Sequence, residues 1–228
     1  LAINNVELIS DRPLEVNLQE IAEVKRNWPD RAVIVSAMVD ADAKAWETII
    51  KQIEDTGADG IELNYGCPQG MSERGMGSAV GQVPEMCQLN TEWATSVASI
   101  PVIVKLTPNV TDIKASAHAA LAGGAHSLSL INTINSITKV DLDTFSISPT
   151  IGGRGTHGGY AGPAVKPIAL HMLAELLTDP TVIASKVPIS GIGGIVTWRD
   201  AAEYFLLGAT SVQICTGAMH YGFRIVDD

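Results

Sequence analysis

The stretch PVIVKLTPNVTDIKASAHAALAGGAHSLSLI, residues 101–131, decides the fold of this chain. It begins with a short apolar run from Pro101 to Leu106 and ends with another from Ser127 to Ile131. Short apolar runs bounded by polar residues predict strands that are buried on both faces. The alanine-rich segment between them, Asp112 to Ala122, predicts a helix that ends at Gly123-Gly124. The stretch therefore predicts a strand–helix–strand unit.

The same alternation runs through the rest of the chain. Further strands are predicted at residues 32–38, 60–63, 187–190 and 211–215. Helices are predicted at residues 45–55, 84–99, 164–177 and 197–207, the last with Thr197 as its N-cap. The order of helix, Gly-Ala and strand recurs in TGAD (56–59), GGAH (123–126) and LGAT (207–210). This order is typical of β/α barrels.

The predicted fold class is α/β, a (β/α)8 TIM barrel. The pattern contains six strands, whereas a closed barrel of this type has eight. We therefore expect the first two strands to precede residue 1. The glycine-rich segment from Asp141 to Gly162 interrupts the alternation and is interpreted as a long loop over the strand ends. Because no linker or change of composition divides the chain, residues 1–228 are expected to form a single domain.

Composition excludes several classes of protein. The net charge of −10 argues against nucleic-acid binding, which requires a basic stripe. No apolar run approaches the ~20 residues that span a bilayer, and the N-terminus does not resemble a secretory signal. Three widely spaced cysteines favour reduced thiols over a disulfide framework, and the five histidines show no metal-ligand spacing. We expect a cytoplasmic protein.

The segment Asn64-Tyr65-Gly66-Cys67-Pro68-Gln69-Gly70 follows a predicted strand, at the edge of the sheet where ligands of α/β proteins collect. A thiol there is placed to exchange a proton with a substrate, and the polar, glycine-rich residues 71–77 could close as a lid. The alternative is that Cys67 is a small buried hydrophobe. Cys87 and Cys215, which lie within helix and strand patterns, fit that alternative better.

Three other features point to the same edge. Gly193 and Gly194 follow a strand and precede a helix, where backbone N–H groups can bind a phosphate, although a plain turn is the alternative. Lys105 ends a strand and could neutralise the electron-rich N1–C2 edge of a reduced flavin, or lie at the surface. Asn64, Asn109 and Asn132 follow strands and suit a planar ligand with donors and acceptors, with Asx turns as the alternative.

The sequence resembles the dihydropyrimidine dehydrogenase family, which belongs to a wider group with the dihydroorotate dehydrogenases. Its similarity is greatest to the FMN-bearing catalytic subunit of the bacterial NAD-dependent type. The resemblance covers essentially the whole chain. It rests on five motifs in the family's order: ELNYGCPQGMSERGMGSAVGQ (62–82), VKLTPNVTDI (104–113), INTINSI (131–137), GGYAGPAVKPIAL (158–170) and ISGIGGIVTWRDAAE (189–203).

The resemblance assigns roles to individual residues. Cys67 matches the proton donor and acceptor at pyrimidine C5, and Lys105 matches a lysine that contacts FMN. The residues that match substrate-binding positions are Asn5, Glu7, Asn64, Asn132 and Thr133. Those that match the cradle of the ribityl phosphate are Gly162, Gly193, Gly194 and Thr216. Two positions depart from the family: Gly66 stands where many relatives carry serine, and Gln69 where some carry histidine.

The resemblance implies an FMN-dependent oxidoreductase that interconverts uracil or thymine with the 5,6-dihydropyrimidine. A hydride would pass from flavin N5 to C6 and a proton from Cys67 to C5. It also implies a partner subunit that binds NAD(H) and FAD, an oligomer, and iron–sulfur clusters outside this chain. One alternative is a related FMN enzyme that acts on dihydroorotate or on another enone, although the segment Glu73 to Gly77 favours the pyrimidine branch. A non-catalytic barrel fragment is the other.

Overall fold

The computed structural model describes residues 2–6, 10, 12–68 and 75–227 of the chain. Its strands are β1 (Ile3–Asn5), β2 (Ile34–Ala37), β3 (Gly60–Asn64), β4 (Val102–Lys105), β5 (Ser127–Leu130), β6 (Ile134–Ser136), β7 (Lys139–Asp141), β8 (Ser146–Ser148), β9 (Thr150–Ile151), β10 (Arg154–Gly155), β11 (Gly158–Ala161), β12 (Ile189–Ile192) and β13 (Ser211–Gln213). Its helices are α1 (Leu14–Asn27), α2 (Ala43–Glu54), α3 (Ser78–Gly81), α4 (Pro84–Val97), α5 (Ile113–Ala122), α6 (Lys166–Leu177), α7 (Pro180–Ser185), α8 (Trp198–Leu207) and α9 (Thr216–Tyr221). Short 3-10 turns lie at Pro163–Val165 and Phe223–Val226.

Six parallel strands form the main sheet in the order β13-β12-β5-β4-β3-β2. These are the six strands that the apolar runs predict, and their order along the sheet is their order along the chain. Helices α2, α4, α5, α6 and α8 pack outside the sheet, as in a β/α barrel. The sheet is open, because β2 and β13 remain its two edges. The fold class is confirmed as a β/α barrel that lacks part of the ring.

The parallel register brings particular side chains to one edge of the sheet. Asn64, at the end of β3, pairs with Lys105 at the end of β4, and Lys105 in turn pairs with Ser129 of β5. Because the carboxyl ends of parallel strands meet at the same edge, the loops that follow them surround one space. The sheet thus supplies the floor of a site.

The helices form where burial and capping agree. Helix α2 buries Trp46, Ile49, Ile50 and Ile53, which recur every three or four residues and so lie on one face. Helix α8 begins at Trp198 and is capped by Thr197, whose side chain accepts from the backbone N–H of Asp200 in a capping box. The predicted N-cap is therefore confirmed.

Two parts of the fold differ from the expectation. Helix α1 was not predicted, although Leu14, Leu18 and Ile21 recur at helical spacing; none of its side chains is fully buried. Residues 141–162, expected to be a loop, include the short strands β8 to β11. Strand β11 pairs antiparallel with both β1 and β6, so it forms a small sheet over the ends of the main strands. Local sequence did not reveal this, since the pairing partners come from distant segments.

Glycine makes this small sheet possible. A Cβ at Gly159 would lie 2.1 Å from the Oγ1 of Thr133, and a Cβ at Gly158 would overlap the side chain of Asn4. The glycines therefore let β11 approach the predicted site residue Thr133 closely.

Among the described helices, none is both long enough and apolar enough to cross a membrane.

Candidate functional site

A cavity of about 520 Å³ lies at the carboxyl ends of the main strands, under the small sheet of β1, β6 and β11. The described residues to which the family resemblance assigns a role all line it: Asn5, Asn64, Cys67, Lys105, Asn132, Thr133, Gly162, Gly193, Gly194 and Thr216. Glu7 lies outside the described residues. The structure thus brings together residues from segments far apart in sequence. Two groups of them are used below: the amide end (Asn64, Cys67, Asn132 and Thr133) and the glycine end (Gly162, Gly193, Gly194 and Thr216).

Cys67 is buried, with 7% of its surface exposed, and lies in the loop that follows β3. Its carbonyl oxygen accepts from the backbone N–H of Ser78 at 3.1 Å. Gly77 has a φ of +56°, and a Cβ there would lie 2.8 Å from that same oxygen. The turn before α3 therefore packs against the backbone of Cys67 and fixes its position. Residues 71–74 of the predicted lid lie outside the described residues.

The two amides of the amide end are bonded to each other. Asn132 Nδ2 donates to Asn64 Oδ1 at 2.8 Å, and this oxygen also accepts from the backbone N–H of Gly66 at 3.1 Å. Asn132 Oδ1 accepts from the backbone N–H of Thr133 at 2.7 Å. Both amide oxygens are therefore occupied within the protein. The remaining amide N–H groups can donate to a ligand, which must offer acceptors such as carbonyl oxygens.

Gly66 leaves the space that this arrangement needs. A Cβ at position 66 would lie 2.3 Å from the Cβ and 2.6 Å from the Nδ2 of Asn132. Separations this short cannot occur between side chains, so a residue with a side chain at 66 would displace Asn132. Glycine at position 66, where the family pattern often has serine, thus leaves room for the Asn132 side chain at the amide end.

Lys105 lies at the floor of the cavity, with 21% of its side chain exposed. Its Nζ is 3.3 Å from Oε1 of Glu62, a residue only 4% exposed. Oε2 of Glu62 accepts from Ser129 Oγ and from Gln213 Nε2, each at 2.9 Å. The lysine is therefore one member of a buried polar cluster made of Glu62, Lys105, Ser129 and Gln213. It is not a surface lysine.

The glycine end is built from backbone. Gly162, Gly193 and Gly194 have φ values of +97°, +138° and +70°, which side-chain-bearing residues rarely adopt. A Cβ at Gly194 would lie 3.0 Å from the carbonyl oxygen of Gly162, so the segments approach closely. Tyr204 donates its hydroxyl to the Gly193 carbonyl at 2.6 Å. The N–H groups of Gly193 and Gly194 have no protein acceptor in the described part of the chain, and such groups suit an anion.

Some expectations for polar residues were wrong. Asn109 does not line the cavity: its Nδ2 donates to the Thr133 carbonyl at 3.0 Å and its Oδ1 accepts from the Asn135 N–H at 2.9 Å. It anchors a loop, as the Asx-turn alternative proposed. Cys215 was expected to be buried in a strand, yet it is exposed and lines the cavity, because β13 ends at Gln213.

Cys87 behaves as a buried hydrophobe, as expected. Burial raises the pKa of its thiol to about 12, and its Sγ lies 3.5 Å from the Ser116 carbonyl oxygen.

Within the ranges that the structure describes, no group of three or more His, Cys, Asp and Glu side chains is arranged to hold a metal ion.

Sequence reasoning missed several functional candidates. Gln213 and Tyr160 line the cavity, and Glu62 lies behind Lys105. Glu62 had a signal, since it is the one charged residue in the run Gly60 to Asn64. His157 also contacts the site region, because its Nε2–H donates to the Pro68 carbonyl at 2.9 Å. This bond joins the glycine-rich segment to the residue after Cys67.

Comparison with known proteins gives the chain its family. The family model described as dihydroorotate dehydrogenase matches residues 3–228. The chain is 42% identical over 228 residues to the NAD-dependent dihydropyrimidine dehydrogenase subunit PreA of Escherichia coli (strain K12), an alignment that covers 100% of this chain and 54% of that protein. It is 43% identical over 223 residues to the chloroplastic dihydropyrimidine dehydrogenase (NADP(+)) of Arabidopsis thaliana, covering 96% of this chain and 52% of that one.

A third relative is the catalytic subunit of dihydroorotate dehydrogenase B (NAD(+)) from Pyrococcus abyssi, 40% identical over 168 residues, 74% of this chain and 52% of that protein. Among solved structures, the Eimeria tenella dihydroorotate dehydrogenase in complex with ferulenol superimposes with a TM-score of 0.72 at 19% identity, covering 96% of this chain and 62% of that one. The chain thus spans about half the length of the curated relatives it matches. It belongs to the dihydroorotate dehydrogenase family.

Proposed function

We propose that this chain is the catalytic region of an FMN-dependent oxidoreductase that interconverts uracil or thymine with the 5,6-dihydropyrimidine. One observation carries the proposal. The amide end, with its thiol and amide donors, lines the same cavity as Lys105. So does the glycine end, where the N–H groups of Gly193 and Gly194 have no acceptor among the described residues. A proton donor, a ring-binding site and an anion cradle are the parts that such a reaction needs.

The residues present fit FMN. The N–H groups of Gly193 and Gly194 suit its phosphate, and Gly162 and Thr216 complete that wall of the cavity. Lys105 offers a cation to the edge of the isoalloxazine that gains negative charge on reduction. When bound, FMN would supply the exchange of a hydride with ring carbon C6.

The chain's own residues would bind the substrate and move the proton. The Asn64 and Asn132 amides present N–H groups, which match the carbonyl oxygens of a pyrimidine ring. These bonds strengthen when negative charge develops on the carbonyls during the reaction. Cys67, buried next to them and held through its carbonyl by Ser78, would give its proton to C5.

The charge of the cavity favours a neutral pyrimidine over dihydroorotate, the main alternative. Among the described residues that line the cavity, Lys105 has the one charged side chain, and Glu62 already pairs with it. The carboxylate of orotate would therefore find no unpaired cation among the lining residues that the structure describes, and burying an unpaired charge is costly. The second alternative, a non-catalytic module, does not explain why the residues of both ends converge.

The names of two relatives also support a proposal about partner subunits. One is named as a subunit of an NAD-dependent enzyme and another as a catalytic subunit. We therefore propose that electrons reach this region from a partner subunit that binds NAD(H) and FAD. Iron–sulfur clusters that would relay those electrons belong, in this proposal, outside residues 1–228.

The test is to reduce the flavin-loaded protein anaerobically and to follow flavin absorbance after mixing it with uracil, thymine or orotate. Rapid reoxidation by uracil or thymine and not by orotate is the expected result. Reoxidation by orotate alone would establish the dihydroorotate alternative. A protein that purifies colourless and takes up no FMN would overturn the cofactor assignment and leave the non-catalytic module.

A further inference from the structure

Glu62 is a buried carboxylate that the proposed reaction does not use. It lies on β3 with 4% of its surface exposed, behind the cavity and not in its lining. Its two oxygens face three partners on three other strands: Lys105 of β4, Ser129 of β5 and Gln213 of β13. The bond to Gln213 spans 151 residues of sequence and crosses the inside of the sheet. So many partners hold the carboxylate in one place.

The position of this carboxylate matters because of Lys105. Lys105 reaches the cavity, and Glu62 Oε1 lies 3.3 Å from its ammonium. In an enclosed site with few water molecules, charges interact several times more strongly than in bulk water. The pair therefore offers a bound ligand much less positive charge than a free lysine would.

We propose that Glu62 is a positioning residue that orients the Lys105 ammonium and partly neutralises it, and thereby keeps the reduction potential of the bound flavin low. This inference rests on the proposed function, because it assumes that FMN occupies the cavity. Two-electron reduction with one proton leaves negative charge on the N1–C2 edge of a flavin, and a nearby cation stabilises that charge. Glu62 reduces this stabilisation, so the reduced flavin remains a stronger hydride donor.

The test is Glu62→Gln in the FMN-loaded protein, which keeps the shape of the side chain and removes its charge. The midpoint potential is measured by equilibrium titration with a reference dye, and it is expected to become more positive. Sulfite, which adds to N5 of oxidised flavin and places negative charge on the ring, provides a second readout by absorbance. The affinity for sulfite is expected to rise by about tenfold or more, since the unpaired Lys105 then acts on the flavin alone.

The matched control is Glu47→Gln. Glu47 also pairs with lysines, Lys44 and Lys51, but it lies on the outer face of α2. The same change in net charge there is expected to leave both the potential and the sulfite affinity unchanged.

The outcomes separate the two proposals. A parent protein that binds no FMN overturns the proposed function. A flavin-loaded Glu62→Gln variant whose potential is unchanged or more negative overturns the role of Glu62 alone. If Glu62→Gln cannot be loaded with FMN, Glu62→Asp decides, because it keeps the charge and moves it away from Lys105. For Glu62→Asp, a flavin midpoint potential that is more positive than that of the parent supports the inference. A midpoint potential equal to that of the parent overturns it.

Discussion

The amide end and the glycine end line one cavity, but they are built by different means. At the amide end, side chains are bonded to one another, as in the 2.8 Å bond from Asn132 to Asn64. At the glycine end, the backbone itself faces the cavity, and positive φ values at Gly193 and Gly194 turn the chain there. The first end can change its chemistry by changing a side chain. The second cannot accept a side chain without moving the backbone.

This difference predicts that the amide end determines substrate specificity and that the glycine end retains the cofactor. Substitutions at the amide end should alter turnover or substrate affinity and leave the flavin in place. Substitutions at the glycine end should release the flavin whatever the substrate. Four predictions, from the largest expected effect to the smallest, test this division.

The largest effect is expected from Cys67→Ala. Without its thiol the amide end has no proton donor for C5, so turnover should fall by roughly 10²–10⁴-fold. Flavin content, measured by absorbance, should remain that of the parent. Cys87→Ala is the control, because it removes another buried thiol that does not line the cavity, and it should retain both turnover and flavin. Loss of flavin from the Cys67 variant would contradict the division.

Gly194→Ala should release flavin. At a φ of +70° a Cβ is strained, and it would lie 2.8 Å from the Cβ of Lys166, so the backbone must shift. We expect the affinity for FMN, measured by fluorescence titration, to fall by roughly tenfold or more.

Gly222→Ala is the matched control for this change. Gly222 has a φ of +71° and does not line the cavity, and apart from its chain neighbours no described residue has an atom within 4 Å of its Cβ position. It should lose stability without losing affinity for FMN. Equal loss of affinity in both variants would show that strain, and not the cradle, is responsible.

Gly66→Ala should weaken substrate binding with the flavin retained. The added Cβ displaces Asn132 and so breaks its bond to Asn64. Loss of one such interaction corresponds to an increase in KM for uracil of about tenfold. A double-mutant cycle with Asn132→Gly, which also removes the Cβ that a side chain at 66 would meet, provides the check. If Gly66→Ala acts through Asn132, it should add little to the effect of Asn132→Gly, whereas additive effects would contradict this account.

The smallest effect is expected from Thr197→Ala, which touches neither end. It removes the N-cap of α8 and should lower the free energy of unfolding by about 1 kcal/mol. Chemical denaturation measures this loss, while KM and the affinity for FMN should equal those of the parent. A change in either would mean that α8 communicates with the glycine end, which Tyr204 contacts through Gly193.

Particular elements show how far sequence reasoning reaches. The runs at residues 101–106 and 127–131 and the helix between them were predicted, because apolar periodicity is a local record of burial. The small sheet of β1, β6 and β11 was not, because its glycine-rich strand β11 has no apolar pattern of its own and depends on two distant partners.

The residues of the candidate site also fall into those that local sequence identifies and those that it does not. Cys67, Lys105 and the Gly193-Gly194 pair could be identified because each lies at or just after the end of a predicted strand. Glu62 and Gln213 could not, since nothing local relates residues 151 positions apart. Asn109 and Cys215 were misjudged for a related reason: a residue's place near a strand end does not say which way its side chain turns.

The sequence by itself determined the order of the six main strands and of the helices that pack outside them, the barrel class and the residue types at the strand ends. These depend on local periodicity, on capping and on glycine, all of which act within a few residues. Only the tertiary structure decided that Asn132 turns to Asn64, that Gly66 makes room for it, and that Glu62 pairs with Lys105. Those contacts depend on strand register and close packing across the sheet, which join segments that the sequence keeps apart.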